Sequence, residues 1–270
     1  MKHKLIIIPD IHGRGFWRDA VPFVEQGAPA VFLGDYTDPY AYEGITVENA
    51  VANFRDLLDF ARQHSDRVTL LLGNHDLSYF GHNKDHWYVG ADRYSNQWAA
   101  SWRWLFNDNA DLFALCTLRT VRGRRYLLSH AGVHPYWTEE LKIFDDIDIS
   151  DLVAVAERLE SLFQESLHSS TQADLMMSLS MVGNRRGGIY LAGSPVWADC
   201  HEFDDVEFPG VAQIFGHSQQ VTIHSTESGV EIIPGKARVR HNNYCIDCHR
   251  CFFLDGNGQL RYLDNNEKVK

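Results

Sequence analysis

The residues with chemistry to offer gather at five points along the 270-residue chain. Asp10-Ile11-His12-Gly13 follows one apolar run, Gly34-Asp35-Tyr36-Thr37-Asp38 a second and Gly73-Asn74-His75-Asp76 a third. Ser129-His130-Ala131-Gly132 and Gly216-His217-Ser218 follow two later ones. Carboxylates, an amide oxygen and imidazoles together suit borderline divalent cations such as Mn, Fe or Zn. Thiolate is missing from the set, so a closed structural zinc site is not implied. One carboxylate can bridge two ions, and two ions about 3.5–4 Å apart clamp a phosphate and generate a hydroxide nucleophile at neutral pH. Glycines beside the ligands let the backbone turn sharply and approach closely. Each motif alone is a weak signal, the more so in a chain with 14 histidines. Polar groups at five strand ends are harder to assign to accident, because they would destabilise a core unless something satisfied them.

The elements that must position these residues follow from periodicity. Residues 4–8, 28–33 and 68–72 are short apolar strands. Residues 46–64 carry Val47, Ala50, Val51, Phe54, Leu57, Leu58 and Ala61 at three- and four-residue spacing, an amphipathic helix with Thr46 as N-cap. That order predicts a mostly parallel sheet under helices, with ligands at the carboxyl edge of the strands. Further helices are expected at 94–106 (Trp98, Trp102 and Leu105 on one face), 151–168 and 171–181. Strands are expected at 112–118 and 124–129 around a turn at 121–123. The last third predicts strands at 211–215, 220–224, 230–234, 243–246, 252–254 and 260–263, with a hairpin at Gly256, Asn257 and Gly258. Parallel strands first and antiparallel strands last suit two sheets packed face to face, with helices outside.

Composition narrows the classes. The chain has 25 basic and 36 acidic residues, a net charge of −11, and is 44% hydrophobic, which excludes a disordered or fibrous chain. No apolar run approaches the roughly 20 residues of a membrane-spanning helix. The run at 5–8 is shorter than the roughly 7–15 residues of a signal-peptide core, so a soluble, cytoplasmic protein is expected. Five cysteines, an odd number, do not suggest a disulfide framework. The acidic balance makes nucleic acid an unlikely partner. It leaves a phosphorylated substrate open, because local metal charge outweighs a distant net charge.

Asp10-x-His12, Gly34-Asp35-x-x-Asp38, Gly73-Asn74-His75-Asp76, His130-Ala131-Gly132 and Gly216-His217 together resemble the calcineurin-like metallophosphoesterases. They are most similar to the phosphoprotein-phosphatase branch, with its bacterial serine/threonine phosphatases and diadenosine-tetraphosphate hydrolases. The resemblance spans about residues 5–263 and is thin over 81–125 and 135–210. It implies an α/β fold, a four-layer αββα sandwich of two mixed sheets. The whole of 1–270 would form one domain, with 135–210 as a candidate helical insertion or lid. It implies two divalent ions: Asp10 and His12 on the first, Asp35 bridging, and Asn74, His130 and His217 on the second. It implies hydrolysis of phosphate monoesters, in proteins or nucleotide-like molecules, by a metal-activated hydroxide. His75 would act as general acid, oriented by Asp38, and Asn74 would also touch the phosphate. A carboxylate that fixes an imidazole's tautomer is what such an acid needs.

Two departures from that branch matter. Pro39 and Tyr40 stand where it has Arg-Gly, so another guanidinium must bind phosphate; Arg14, Arg185 and Arg186 are the candidates. Gln219 stands where many relatives outside the branch have a metal-binding histidine, which favours monoesters over a phosphodiesterase or nuclease. An inactive phosphate-recognition module is the third reading. Cys245, Cys248 and Cys251 form two overlapping Cys-x-x-Cys steps between strands and are expected to be structural. Trp87 and Tyr88 are candidate pocket residues. Ser194 to Asp199, with Trp197 at its centre, distantly resembles the branch's Trp-Ser-Asp-Pro segment.

Overall fold

The computed structural model describes residues 5–80, 93–167, 172–226 and 229–263. In chain order its elements are β1 (Leu5–Ile8), α1 (Val21–Glu25), β2 (Ala30–Phe32), α2 (Val47–Gln63), β3 (Val68–Leu71), α3 (Asn74–Leu77) and α4 (Ala99–Asp108). They continue with β4 (Phe113–Ala114), β5 (Cys116–Val121), β6 (Arg124–Ser129), α5 (Pro135–Glu139), α6 (Leu152–Ser166), α7 (Gln172–Leu179) and β7 (Val211–Phe215). The chain closes with β8 (Val221–Thr226), β9 (Gly229–Pro234), β10 (Arg238–Arg240), β11 (Asn243–Cys245), β12 (Phe252–Leu254) and β13 (Leu260–Tyr262).

One sheet runs β13-β12-β1-β2-β3-β4 and a second runs β10-β11-β7-β6-β5, while β8 and β9 form a separate ribbon. Within the first sheet β1, β2, β3 and β4 are parallel, with Ile7 opposite Val31 and Val31 opposite Thr69. Period-two alternation then sorts the side chains. Leu5, Ile7, Val31, Leu33 and Leu71 meet Tyr126, Leu128, Ala212 and Ile214 of the other sheet. Ile6, Ile8, Phe32, Leu70 and Leu72 turn to the helical side. The molecule is therefore a mixed α/β structure of two mixed sheets with helices on the outside.

Thr46 caps α2 as its sequence predicts, its hydroxyl accepting from the Asn49 amide at 3.2 Å. Phe54 is the hub of that helix's buried face. It stacks on Tyr36 at 5.0 Å and meets Trp102, Phe106 and Phe113 at 5.0–6.4 Å. On α4, Trp102 and Leu105 are buried and Trp98 packs at the margin of the same core.

Three expectations needed correction. Residues 112–118 do not form one strand. Phe113–Ala114 pairs with β3 of the first sheet, and from Cys116 the chain pairs with β6 of the second. Leu115 is the crossing, and Glu160 of α6 accepts its amide at 3.0 Å and that of Cys116 at 3.4 Å. A continuous apolar run carries no sign of such a change of sheet. The late strands divide as well: β7 and β11 join the second sheet in parallel, whereas β12 lies antiparallel to β1. The short strand β10 was not expected at all. Among the described residues, no helix is long and apolar enough to cross a membrane.

Replacing Phe54 by alanine should leave a cavity among four aromatic rings and cost about 3–5 kcal/mol. Urea unfolding of the two proteins measures the difference. A loss below about 1 kcal/mol would contradict the hub role.

Candidate metal centre

Each motif sits where its strand ends and the backbone turns hard. His12, Asp35, Asp38 and His217 have φ values of 42°, 54°, 51° and 62°. This left-handed region is sparsely used outside glycine, costs of order 1–3 kcal/mol per residue, and persists only where the surroundings impose it. Asp76 imposes much of it here. Its fully buried carboxylate accepts the amides of Asp35 at 2.7 Å, Tyr36 at 2.8 Å and Gly73 at 2.9 Å, tying the β2 loop to the β3 loop. The Asp35 carbonyl accepts the amides of Ile11 and His12 at 3.1 and 2.7 Å, which adds the β1 loop. The Asp10 carboxylate accepts the His217 amide at 3.0 and 3.1 Å, which adds the β7 loop. Two glycines are needed for closeness. A Cβ at Gly73 would lie 2.1 Å from Asp35 Oδ1, and one at Gly216 2.1 Å from Asp10 Oδ1.

The ring nitrogens then fix the chemistry. His12 Nδ1–H donates to the Thr37 carbonyl at 2.8 Å, and His130 Nδ1–H to the Leu33 carbonyl at 2.8 Å. In the neutral rings both Nε2 atoms therefore carry lone pairs. They face Asp35 Oδ2 at 3.3 and 3.5 Å. His130 Nε2 also lies 3.1 Å from Asn74 Oδ1 and 3.1 Å from His217 Nδ1. Burial holds His12 down at about 3 and, joined by the charges of Arg186 and His130, keeps His217 well below the usual imidazole range. Burial alone would raise Asp35, but the surrounding histidines, His130 first, outweigh it and its carboxyl lies well below the usual range. Neutral imidazoles, an amide oxygen and a carboxylate with lone pairs turned on one another are a cation's donor set. The residues present fit divalent-cation binding. His12, Asp35 and His75 place potential donor atoms within 4.8 Å of one another, as do Asp35, His130 and His217; Asp10, expected as a ligand, is in neither group and engages the His217 amide instead. A third such group, Asp199, Cys200 and His201, is a run of neighbours in which Asp199 already pairs with Arg186.

His75 closes the rim. Its Nδ1 lies 2.9 Å from Asp38 Oδ2, and Tyr79 donates to Asp38 Oδ1 at 2.6 Å. The rim opens into a cavity of about 600 Å³ lined by His12, Asp35, Asn74, His75 and His217, with Tyr40, Arg93, Arg186 and Trp197 around them. Of the three arginines expected at the phosphate, Arg186 lines this cavity, held by Ser218 Oγ at 2.7 Å and Asp199 at 3.2 Å. Arg14 does not line it, because a bidentate pair with Glu43 at 2.6 and 2.7 Å engages its guanidinium. Arg185 lines a different cavity with His134, Tyr136 and several acidic residues. The residue that sequence reasoning missed is Arg93. Its Nε donates to the Asp38 carbonyl at 3.0 Å, its Nη2 to His75 Nε2 at 3.2 Å, and its guanidinium lies 3.7 Å over the Tyr40 ring. Nothing in the chain's order pointed to it, since it lies 55 residues beyond Asp38 in a stretch without motifs.

The three late cysteines share no site. Cys251 packs in the core beneath the first sheet, Cys248 between the sheets, and Cys245 with Cys200 and Phe203. Trp87 and Tyr88 lie outside the described residues.

The family model for calcineurin-like phosphoesterases matches residues 3–220. Among solved structures, a cold-active protein-tyrosine phosphatase from a psychrophilic Shewanella species is similar, at 13% identity and a TM-score of 0.50, covering 97% of this chain and 80% of that one. A second structure described as a cold-active protein tyrosine phosphatase is 14% identical with a TM-score of 0.53, covering 98% and 79%. These likenesses bear on the fold alone. No curated protein matches the sequence.

Asp76→Ala should strip the acceptor from three buried amides, each orphaned donor costing about 1–3 kcal/mol. Urea unfolding in the presence of a chelator should show a loss of at least about 2 kcal/mol. An unchanged midpoint would mean that Asp76 does not hold the loops.

Proposed function

The chain belongs to the calcineurin-like phosphoesterase family, and on that premise we propose that it hydrolyses phosphate monoesters at two divalent cations. Asp10 and His12 would hold one, Asn74, His130 and His217 would hold the other, and Asp35 would serve both. The observation that carries this reading is the set of neutral imidazole nitrogens turned on Asp35 and Asn74, with the His75–Asp38 pair at its edge. The donor set suits Mn, Fe or Zn. Bound there, the cations supply a nucleophile from water at neutral pH and draw charge from the phosphoryl oxygens.

The chain's own groups do the rest. Asp38 accepts from His75 Nδ1–H and so turns Nε2 toward the cavity, where a protonated ring hands its proton to the leaving oxygen. Arg93 now occupies that nitrogen, and a phosphoryl oxygen beside it would draw the guanidinium away. Arg93 and Arg186 offer two planar forks of donors to the non-bridging oxygens, and Asn74 offers its amide hydrogens. Two guanidinium groups beside the cations favour the more highly charged phosphate, which supports a monoester over a diester. A phosphoserine or phosphothreonine side chain, or a nucleotide-like phosphate, fits a cavity of about 600 Å³.

Purified protein with Mn²⁺ should hydrolyse an aryl phosphate and leave the corresponding diester nearly untouched. Equal turnover of the diester would sink the monoester reading, and phosphopeptide binding without turnover would leave only a recognition module. His75→Asn should lower kcat by roughly 10²–10⁴-fold with metal content unchanged. Arg93→Ala should lower kcat/KM by about 10²–10³-fold; an undiminished kcat/KM would move the phosphate grip elsewhere.

A further inference from the structure

One buried carboxylate has no part in the chemistry above. Asp247 is 0% exposed, and neither of its oxygens has a hydrogen-bond partner. It lies in the turn between β11 and β12, which its carbonyl fixes to the metal side of the molecule by accepting the Gln220 amide at 2.7 Å. Two residues on, His249 has φ 54°, and its Nε2 is buried without a partner. The Ile246 amide donates to the Phe215 carbonyl at 2.8 Å, so this turn runs beside the β7 loop, whose His217 amide binds the Asp10 carboxylate. After burial itself, the charge of Asp10 is the strongest influence pushing the Asp247 carboxyl upward, and Asp35 adds to it. His249 is held down at about 3 by burial, then by Arg14 and His12. Arg14 acts on the Asp247 carboxyl in the opposite direction, but its guanidinium is held in an ion pair by Glu43 at 2.6 Å.

Of the three buried carboxylates Asp10, Asp35 and Asp247, the first two accept backbone amides, from His217 and His75, and Asp247 accepts none from any described residue. A buried charge without a partner costs several kcal/mol, and an orphaned buried acceptor calls for an ion or a water. We propose that Asp247 belongs to the site of the cation held by Asp10 and His12, supplying its third negative charge and fixing that cation's outer shell together with His249. This rests on the two-cation reading above and adds a residue that no motif marks. Carboxylates in that role commonly change metal affinity by 10- to 100-fold when removed.

The test is a Mn²⁺ titration of chelator-stripped, dialysed protein, followed by the paramagnetic resonance signal of free Mn²⁺. Wild type should bind two ions per chain. Asp247→Asn should bind one of them about tenfold or more weakly and the other unchanged, while Asn74→Ala should weaken the other one. If Asp247→Asn binds both ions as wild type does, the assignment of Asp247 falls and the two-cation reading stands. If wild type binds none, the two-cation reading falls and this inference with it. Thermal unfolding in chelator decides between a lost ligand and a damaged fold. Without metal, Asp247→Asn should unfold at the same temperature as wild type or higher, because an uncompensated charge is gone. A lower temperature, or failure to fold, overturns the proposal.

Discussion

A neutral imidazole whose Nδ1–H is spent on a backbone carbonyl can only accept at Nε2, and two such rings face the same oxygen of Asp35. Lone pairs at 3.3 and 3.5 Å repel, and in a buried site water is not there to screen them. Asn74 Oδ1 adds another acceptor beside His130 Nε2 at 3.1 Å, and His217 Nδ1 lies at the same distance. Left alone, such a cluster works against folding. With cations between the donors, the same arrangement becomes favourable, and it then couples folding to metal binding. The rest of the molecule is arranged to keep these atoms from relaxing apart.

That burden falls on backbone more than on side-chain packing. Four of the site residues are held in left-handed conformations, and four loops are laced together by Asp76, the Asp35 carbonyl and Asp10. Behind the loops, strands β1, β2 and β3 are buried on both faces, between α2 on one side and the second sheet on the other. A loop whose anchors lie in such a core has little freedom to open. Gly73 and Gly216 complete the device by allowing carboxylates to lie where a Cβ would be.

What the sequence made legible divides along physical lines. Local regularities were readable: β1, β2, β3 and α2 with its Thr46 cap follow from periodicity, because one face or both faces of each element are buried uniformly. The polar residues after those strands were readable because they break an apolar run abruptly. Their convergence came from the rule that parallel strands share a carboxyl edge. Interactions set by long-range packing were not readable. The change of sheet at Leu115 depends on Glu160, which lies 45 residues away. The role of Asp76 is not legible in its motif, since a carboxylate that serves backbone amides looks in sequence like one that serves metal. Asp247 sat among cysteines that drew attention to themselves and turned out to be packing residues in three separate cores.

The arginines show the same limit from the other direction. An arginine directly after Asp38 would be placed by the turn that places Asp38 itself; here Pro39 and Tyr40 occupy the turn. Tyr40 instead presents its ring face to Arg93 at 3.7 Å, and the Asp38 carbonyl takes the Arg93 Nε, so the turn recruits through space the charge it lacks in sequence. Arg14 cannot serve, because Glu43 meets it with both oxygens where both are buried. Arg186 is tied to Ser218, the residue after His217, and Arg93 to Asp38, the partner of His75. Each guanidinium is thereby fixed to the framework of the metal centre rather than to solvent. Charges held in place before substrate arrives need no reorganisation when negative charge moves during the reaction, and that is where such groups contribute most to rate.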